Sequence, residues 1–137
     1  MNVENAVLVD DSKLEEFFKN LNPNEPFVMV NLLKFKEKAE YKNEVENCLS
    51  GAEAYQKYLD EVKDLLEGEG ARLLNDLDIF DLLMGKVEEL WDRILLVKYP
   101  SKEAFKKILT SQKFREAQKH RFAGLAGQLN IATKANV

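Results

Sequence analysis

The chain has 137 residues, 45% of them hydrophobic and 32% charged, with a formal net charge of −4 and a pI near 5.2. This is the composition of one ordinary globular domain, and the acidic balance argues against nucleic acid as a partner, because there is no basic excess to neutralise phosphates. The single cysteine, Cys48, excludes an internal disulfide and a zinc framework. Met1–Asn5 lack the positive and apolar regions of a signal peptide and no apolar run reaches spanning length, so a cytoplasmic protein is expected.

Residues 1–25 read as an N-terminal extension. Ser12 and Glu15 have capping-box spacing, and Leu14, Phe17, Phe18 and Leu21 share one helical face, which predicts a short helix over 12–20. The cluster Asn22-Pro23-Asn24-Glu25-Pro26 ends it. Residues 26–137 read as the main domain. Its first strand spans 27–35, with Phe27, Met29, Asn31, Leu33 and Phe35 on one face and Val28, Val30, Leu32 and Lys34 on the other. Both faces are mostly apolar, so both are expected to be covered.

Residues 36–49 are charged and read as an exposed loop with room for one helical turn. Ser50 and Glu53 again have capping-box spacing, and Ala54, Tyr55, Tyr58, Leu59, Val62, Leu65 and Leu66 continue at helical period to about residue 67, where Gly68 or Gly70 stops the helix. The segment 71–84 alternates locally and is interrupted by Asp76 and Asp78; it predicts a second strand that is bulged or broken. Ile94–Val97 is a short apolar run, halted by Pro100, with Ser101 as N-cap and Phe105, Ile108 and Leu109 at helical spacing. That helix breaks at Thr110-Ser111 and resumes over 112–123. Gly124 is placed as a C′ glycine, and 128–133 alternates as the last strand.

The order is β-α-β-β-α-β after an extra N-terminal helix, an α+β ferredoxin-like arrangement. Helices on one face of a four-stranded sheet leave the other face, with Val28, Val30 and Leu32, apolar and bare. A second copy packed face to face about a two-fold axis is the simplest cover, so a homodimer is expected.

The strand Pro26–Phe35, the stretch Gly51–Tyr58, Trp91-Asp92-Arg93 through Tyr99-Pro100-Ser101 and Phe105, and the pair His120-Arg121 together resemble the domain-of-unknown-function 1330 (DUF1330) family over roughly residues 26–134. The resemblance implies the dimeric α/β-barrel superfamily, whose members include cofactor-free monooxygenases, haem proteins and isomerases; fold alone therefore assigns no reaction.

Candidate site residues follow from chemistry. Asn31 is a polar residue inside an apolar row and marks a pocket hydrogen-bonding group or a structural amide. Trp91 reads as an aromatic anchor or a ligand contact. Arg93 reads as the ion-pair partner of Asp92, or as a clamp on an anionic ligand. His120 is the one histidine and the candidate general base, with Asn31 beside it as a catalytic candidate. Arg121 is expected to tie its helix to a carboxylate or to bind ligand. Tyr55 or Tyr58 is positioned to present a hydroxyl to the cavity, or to fill the core. A lone histidine cannot build a multi-histidine metal site, and no phosphate-binding glycine loop is present. The expected function is a small-molecule-binding homodimer with a pocket between sheet and helices and no cofactor, with oxygenase- or isomerase-like activity as one form. The alternative is a non-catalytic ligand-binding or interaction protein. A third reading makes His120 a haem ligand. Neither nucleic acid nor membrane is expected as a partner.

Overall fold

The computed structural model describes residues 4–42 and 48–136. Each helix starts where a side chain can satisfy its first free amides. Helix α1 (Asp11–Asn20) is capped by Asp10, which accepts from the Lys13 N–H; Ser12 lies inside the helix and donates to the same carboxylate. Asp10 thus takes the place expected for Ser12, since a carboxylate two residues earlier is the better acceptor for helix-end amides. Helix α2 (Gly51–Gly68) has the full Ser50–Glu53 capping box. Helix α3 (Lys102–Leu109) is capped by Ser101. Helix α4 (Gln112–Gly124) is capped by Ser111, so the expected break at Thr110-Ser111 is a fresh helix start.

Strands β1 (Phe27–Phe35), β2 (Arg72–Asp78), β3 (Arg93–Tyr99) and β4 (Leu125–Thr133) form one antiparallel sheet in the order β2-β3-β1-β4. With β1 and β3 central and the two β-α-β units split, this is the ferredoxin-like α+β topology. β2 carries the expected bulge, between Leu73 and Asn75.

The helices cover one face of the sheet. Phe27, Met29 and Leu33 of β1 and Leu95 and Val97 of β3 are buried there, while their neighbours Val28, Val30, Leu32, Ile94 and Leu96 are half-buried. Tyr55 of α2 joins Leu33, Leu95 and Leu125 in one apolar cluster, and Ile108 of α3 packs with Ala71 and Val97 in another. Helix α1 lays Phe17, Phe18 and Leu21 against Phe27, Met29 and Phe105, with the Phe17 and Phe105 rings edge to face at 5.9 Å.

Further sequence expectations change, and the strand expected over 71–84 ends at Asp78. Gly124 does not end α4 in a left-handed cap; the chain passes straight into β4, and the glycine is required by packing. A Cβ at Gly124 would strike the Gly51 carbonyl, and one at Gly51 would strike the Lys36 carbonyl. Nor is the segment after β1 a free loop. Lys36 N–H donates to the Gly124 carbonyl at 2.8 Å, Glu40 N–H to Ala123 at 2.9 Å, and Ala39 is buried against Ala54 and Ala123. Its charged side chains hide a backbone laced to the α4 terminus. Residues 43–47 of that expected loop lie outside the described residues.

Candidate functional site

The sheet face beneath α2 and α4 carries a chain of polar side chains at the register positions where β1 meets β4. Asn31 sits opposite Asn130, and Leu33 opposite Gln128. The Asn31 amide donates to the Met29 and Leu95 carbonyls, both at 3.3 Å, and its oxygen accepts from Gln128 Nε2 at 3.0 Å. Gln128 also donates to Asn130 Oδ1 at 2.6 Å and accepts from Arg121 at 2.6 Å. A buried amide must find partners, and buried Gln128 finds them in half-buried Asn31, exposed Asn130 and Arg121.

The guanidinium at the end of the chain is not balanced in the same way. Arg121 is bonded to Gln128 and, at 3.4 Å, to Gln118, and lies over the Phe122 ring; among the described residues no carboxylate pairs with it. Burial holds the Arg121 side chain below its ordinary pKa, with the nearby Tyr58 and Tyr55 phenols favouring its charge. The carboxylate expected to anchor Arg121 is replaced by two amides. These donate and accept well but carry no compensating charge.

Tyr55 projects from α2 into the same region. Its side chain is 2% exposed, and among the described residues nothing hydrogen-bonds its hydroxyl. Burial pushes this phenol far above its ordinary pKa; the adjacent Tyr58 adds to the rise, and Arg121 and Arg93 oppose it. Burial also raises Tyr58, against the pull of Arg121 and a hydrogen bond with Gln118, and raises Tyr99. The Tyr55 and Tyr58 rings are 5.3 Å apart. Two neutral phenols, Tyr55 and Tyr58, thus lie near one under-compensated cation.

Arg93 closes the other flank. Its Nε donates to Asp76 at 2.6 Å, a second guanidinium nitrogen bonds the same carboxylate, and a longer bond of 3.3 Å reaches Gln56. The expected Asp92–Arg93 pair does not form. Neighbours along a strand point to opposite faces, so Asp92 turns away. It accepts from the Phe35 N–H at 2.8 Å and pairs with Lys34 at 3.3 Å. Trp91 is half-buried just before β3.

Residues 45–135 match the family described as Domain of unknown function (DUF1330). The chain belongs to that family. The match begins after β1, whereas the resemblance read from the sequence began at residue 26. No curated protein matches the chain. RPA0582, a protein of unknown function from Rhodopseudomonas palustris, aligns with a TM-score of 0.88 at 27% identity, over 98% of this chain and 99% of that one. A dimeric protein of unknown function with a ferredoxin-like fold from Bacteroides fragilis NCTC 9343 aligns with a TM-score of 0.51 at 9% identity, over 83% and 100% of the two chains. A Dabb-family protein with a ferredoxin-like fold from Mesorhizobium loti aligns with a TM-score of 0.51 at 10% identity, over 82% and 98%. At those two identities the likeness shows the fold alone.

In this DUF1330 chain His120 has a different set of neighbours from Arg121. It is buried, with Nδ1 2.6 Å from the Tyr41 hydroxyl and Nε2 3.0 Å from Glu61. Both ring nitrogens are occupied, which leaves neither for a haem iron in this arrangement. Among the described residues no group of three metal-ligating side chains gathers, and no helix is long and apolar enough to cross a membrane. Two open surface concavities, of about 300 and 630 Å³, lie against α1 and β4 and beside the α2–β2 turn; Asn31 lines neither. Of the residues singled out from sequence, Asn31, Tyr55 and Arg121 come together, Arg93 flanks them, and His120 and Trp91 do not join the amide chain. Gln118 and Gln128 were missed. Gln128 had a legible signal, because it opens the alternating 128–133 strand on the face that packs against helices.

Proposed function

We propose that this chain is a small-molecule-binding homodimer whose ligand is a small organic anion, held in the layer between the sheet and helices α2 and α4. The observation that carries the reading is the Tyr55 hydroxyl, which among the described residues is buried without a hydrogen-bond partner, beside a guanidinium that there has amides but no carboxylate. A buried donor left unsatisfied costs about 1–3 kcal/mol, and a buried uncompensated charge costs more. A ligand carboxylate or enolate oxygen removes both costs at once: it accepts from Tyr55 and pairs with Arg121, whose fork matches a carboxylate. Asn31 and Gln128 orient Arg121, and Tyr58 and Tyr99 give the ligand an aromatic wall. The phenols are held protonated by burial, so they donate hydrogen bonds and could polarise a carbonyl without a cofactor, the step that an isomerase- or oxygenase-like activity would require. The dimer is supported by the half-buried apolar outer face of the sheet and by the dimeric description of the Bacteroides fragilis fold relative. A reducing cytoplasmic setting fits the free, exposed Cys48.

The non-catalytic reading is favoured by the closed Asn31–Gln128–Asn130 network, whose hydrogen bonds are spent inside the chain. A thermal-shift screen against small aromatic and aliphatic carboxylates tests the binding claim, since a ligand that binds only the folded state raises Tm. Carboxylates should raise Tm where matched amides do not, and Arg121→Gln and Tyr55→Phe should each abolish the shift. A carboxylate shift that survives Arg121→Gln refutes the assignment of the site.

A further inference from the structure

Between β2 and β3 the chain leaves the sheet as an arm without regular structure, residues 79–92. Its base is closed by the Ile79 N–H donating to the Asp92 carbonyl at 2.9 Å, and its far end turns at Gly85, where φ is +98°. The arm is apolar and bare: Phe80 is 94% exposed, Leu83 99% and Met84 85%. With Leu77 on the outer face of β2, 47% exposed, it forms an uncovered apolar surface of the kind that marks an interface.

Charge says what covers it. The arm is acidic, with Asp81, Glu88 and Glu89 against Lys86. On the outer sheet face Leu77 and Ile94 are paired at the end nearest the arm, and Arg72 and Lys98 are paired at the opposite end. Among the described residues neither Arg72 nor Lys98 has a carboxylate partner. A two-fold axis lying between two stacked sheets and across their strands reverses strand direction. It brings the arm end of each copy over the Arg72–Lys98 end of the other.

We infer that the 79–92 arm is a reciprocal clasp: in a dimer of this chain each acidic, apolar arm reaches across the basic end of its partner's outer sheet face. This deepens the homodimer reading and rests on it. Light scattering coupled to gel filtration at micromolar concentration separates the two. Wild-type protein is expected as a dimer. The double variant Phe80→Asp/Leu83→Asp is expected to keep its circular dichroism and to dissociate about thirtyfold more readily, the loss produced by removing buried anchors. Lys98→Glu should also weaken the dimer, and Glu88→Lys/Glu89→Lys in the same chain should restore it. A dimer unaffected by both the arm variant and the Lys98 variant overturns the clasp and leaves the homodimer standing. A wild-type monomer overturns both.

Discussion

At the scale of single residues, His120 ties three segments through two hydrogen bonds. Nε2 faces the Glu61 carboxylate, which can only accept, so Nε2 carries the proton and Nδ1 accepts from the Tyr41 hydroxyl. The imidazole is thus held at both ring nitrogens. Its position also pins the segment after β1 to α2 and α4. Removing the imidazole breaks its hydrogen bonds to Tyr41 and Glu61 and opens a cavity, so His120→Ala should cost about 2–4 kcal/mol and Tyr41→Phe about 1 kcal/mol by urea denaturation. The double variant should be less destabilised than the sum, because the two share one bond. Additive losses would show that the bond contributes nothing. The lone histidine was legible as distinctive, but its partners were not. Tyr41 and Glu61 stand 79 and 59 residues away in the chain.

At the scale of elements, the capping chemistry was the most readable feature. Ser50 and Glu53 announced the start of α2, and Ser101 that of α3, because a cap is a local contest for the first amides of a helix. Ser50→Ala should destabilise the fold by about 1 kcal/mol. The Ser50 amide and hydroxyl hold the Glu53 carboxyl below its ordinary pKa. A lowered folded-state value means that the Glu53 contribution is present above the ordinary carboxylate range and is lost as pH falls through the folded value. Urea denaturation at neutral pH should therefore show a cost for Glu53→Gln that shrinks in acid; a cost independent of pH would contradict the capping role. Local reading failed where an element end is set by packing. Gly124 looks like a helix terminator in sequence, yet it is there because the start of α2 leaves no room for a Cβ.

At the scale of the whole molecule, the sheet has one covered face and one half-covered face, and the arm adds apolar surface beside the latter. If two copies bury that surface, folding and association are linked, and Tm should rise with protein concentration. Differential scanning calorimetry over a hundredfold range, about micromolar to about 0.1 mM, measures this; a constant Tm would mean that the chain is stable alone with its outer face in water. The same accounting bears on the arm, because few monomers leave a phenylalanine and two long apolar side chains this exposed.

Periodicity by itself determined the order of strands and helices, hence the split β-α-β topology, because the alternation of apolar residues is written locally and only a few connections join such elements. It also marked Asn31, Tyr55 and Arg121 as residues that a core must account for. Only the tertiary structure decided which of them meet. Gln128 joins Asn31 to Arg121 through strand register across nearly a hundred residues, and Asp76 rather than the adjacent Asp92 takes Arg93 because strand neighbours face opposite ways. Patterns along a chain report each side chain's environment; the identity of its partner is set by register and packing between distant segments.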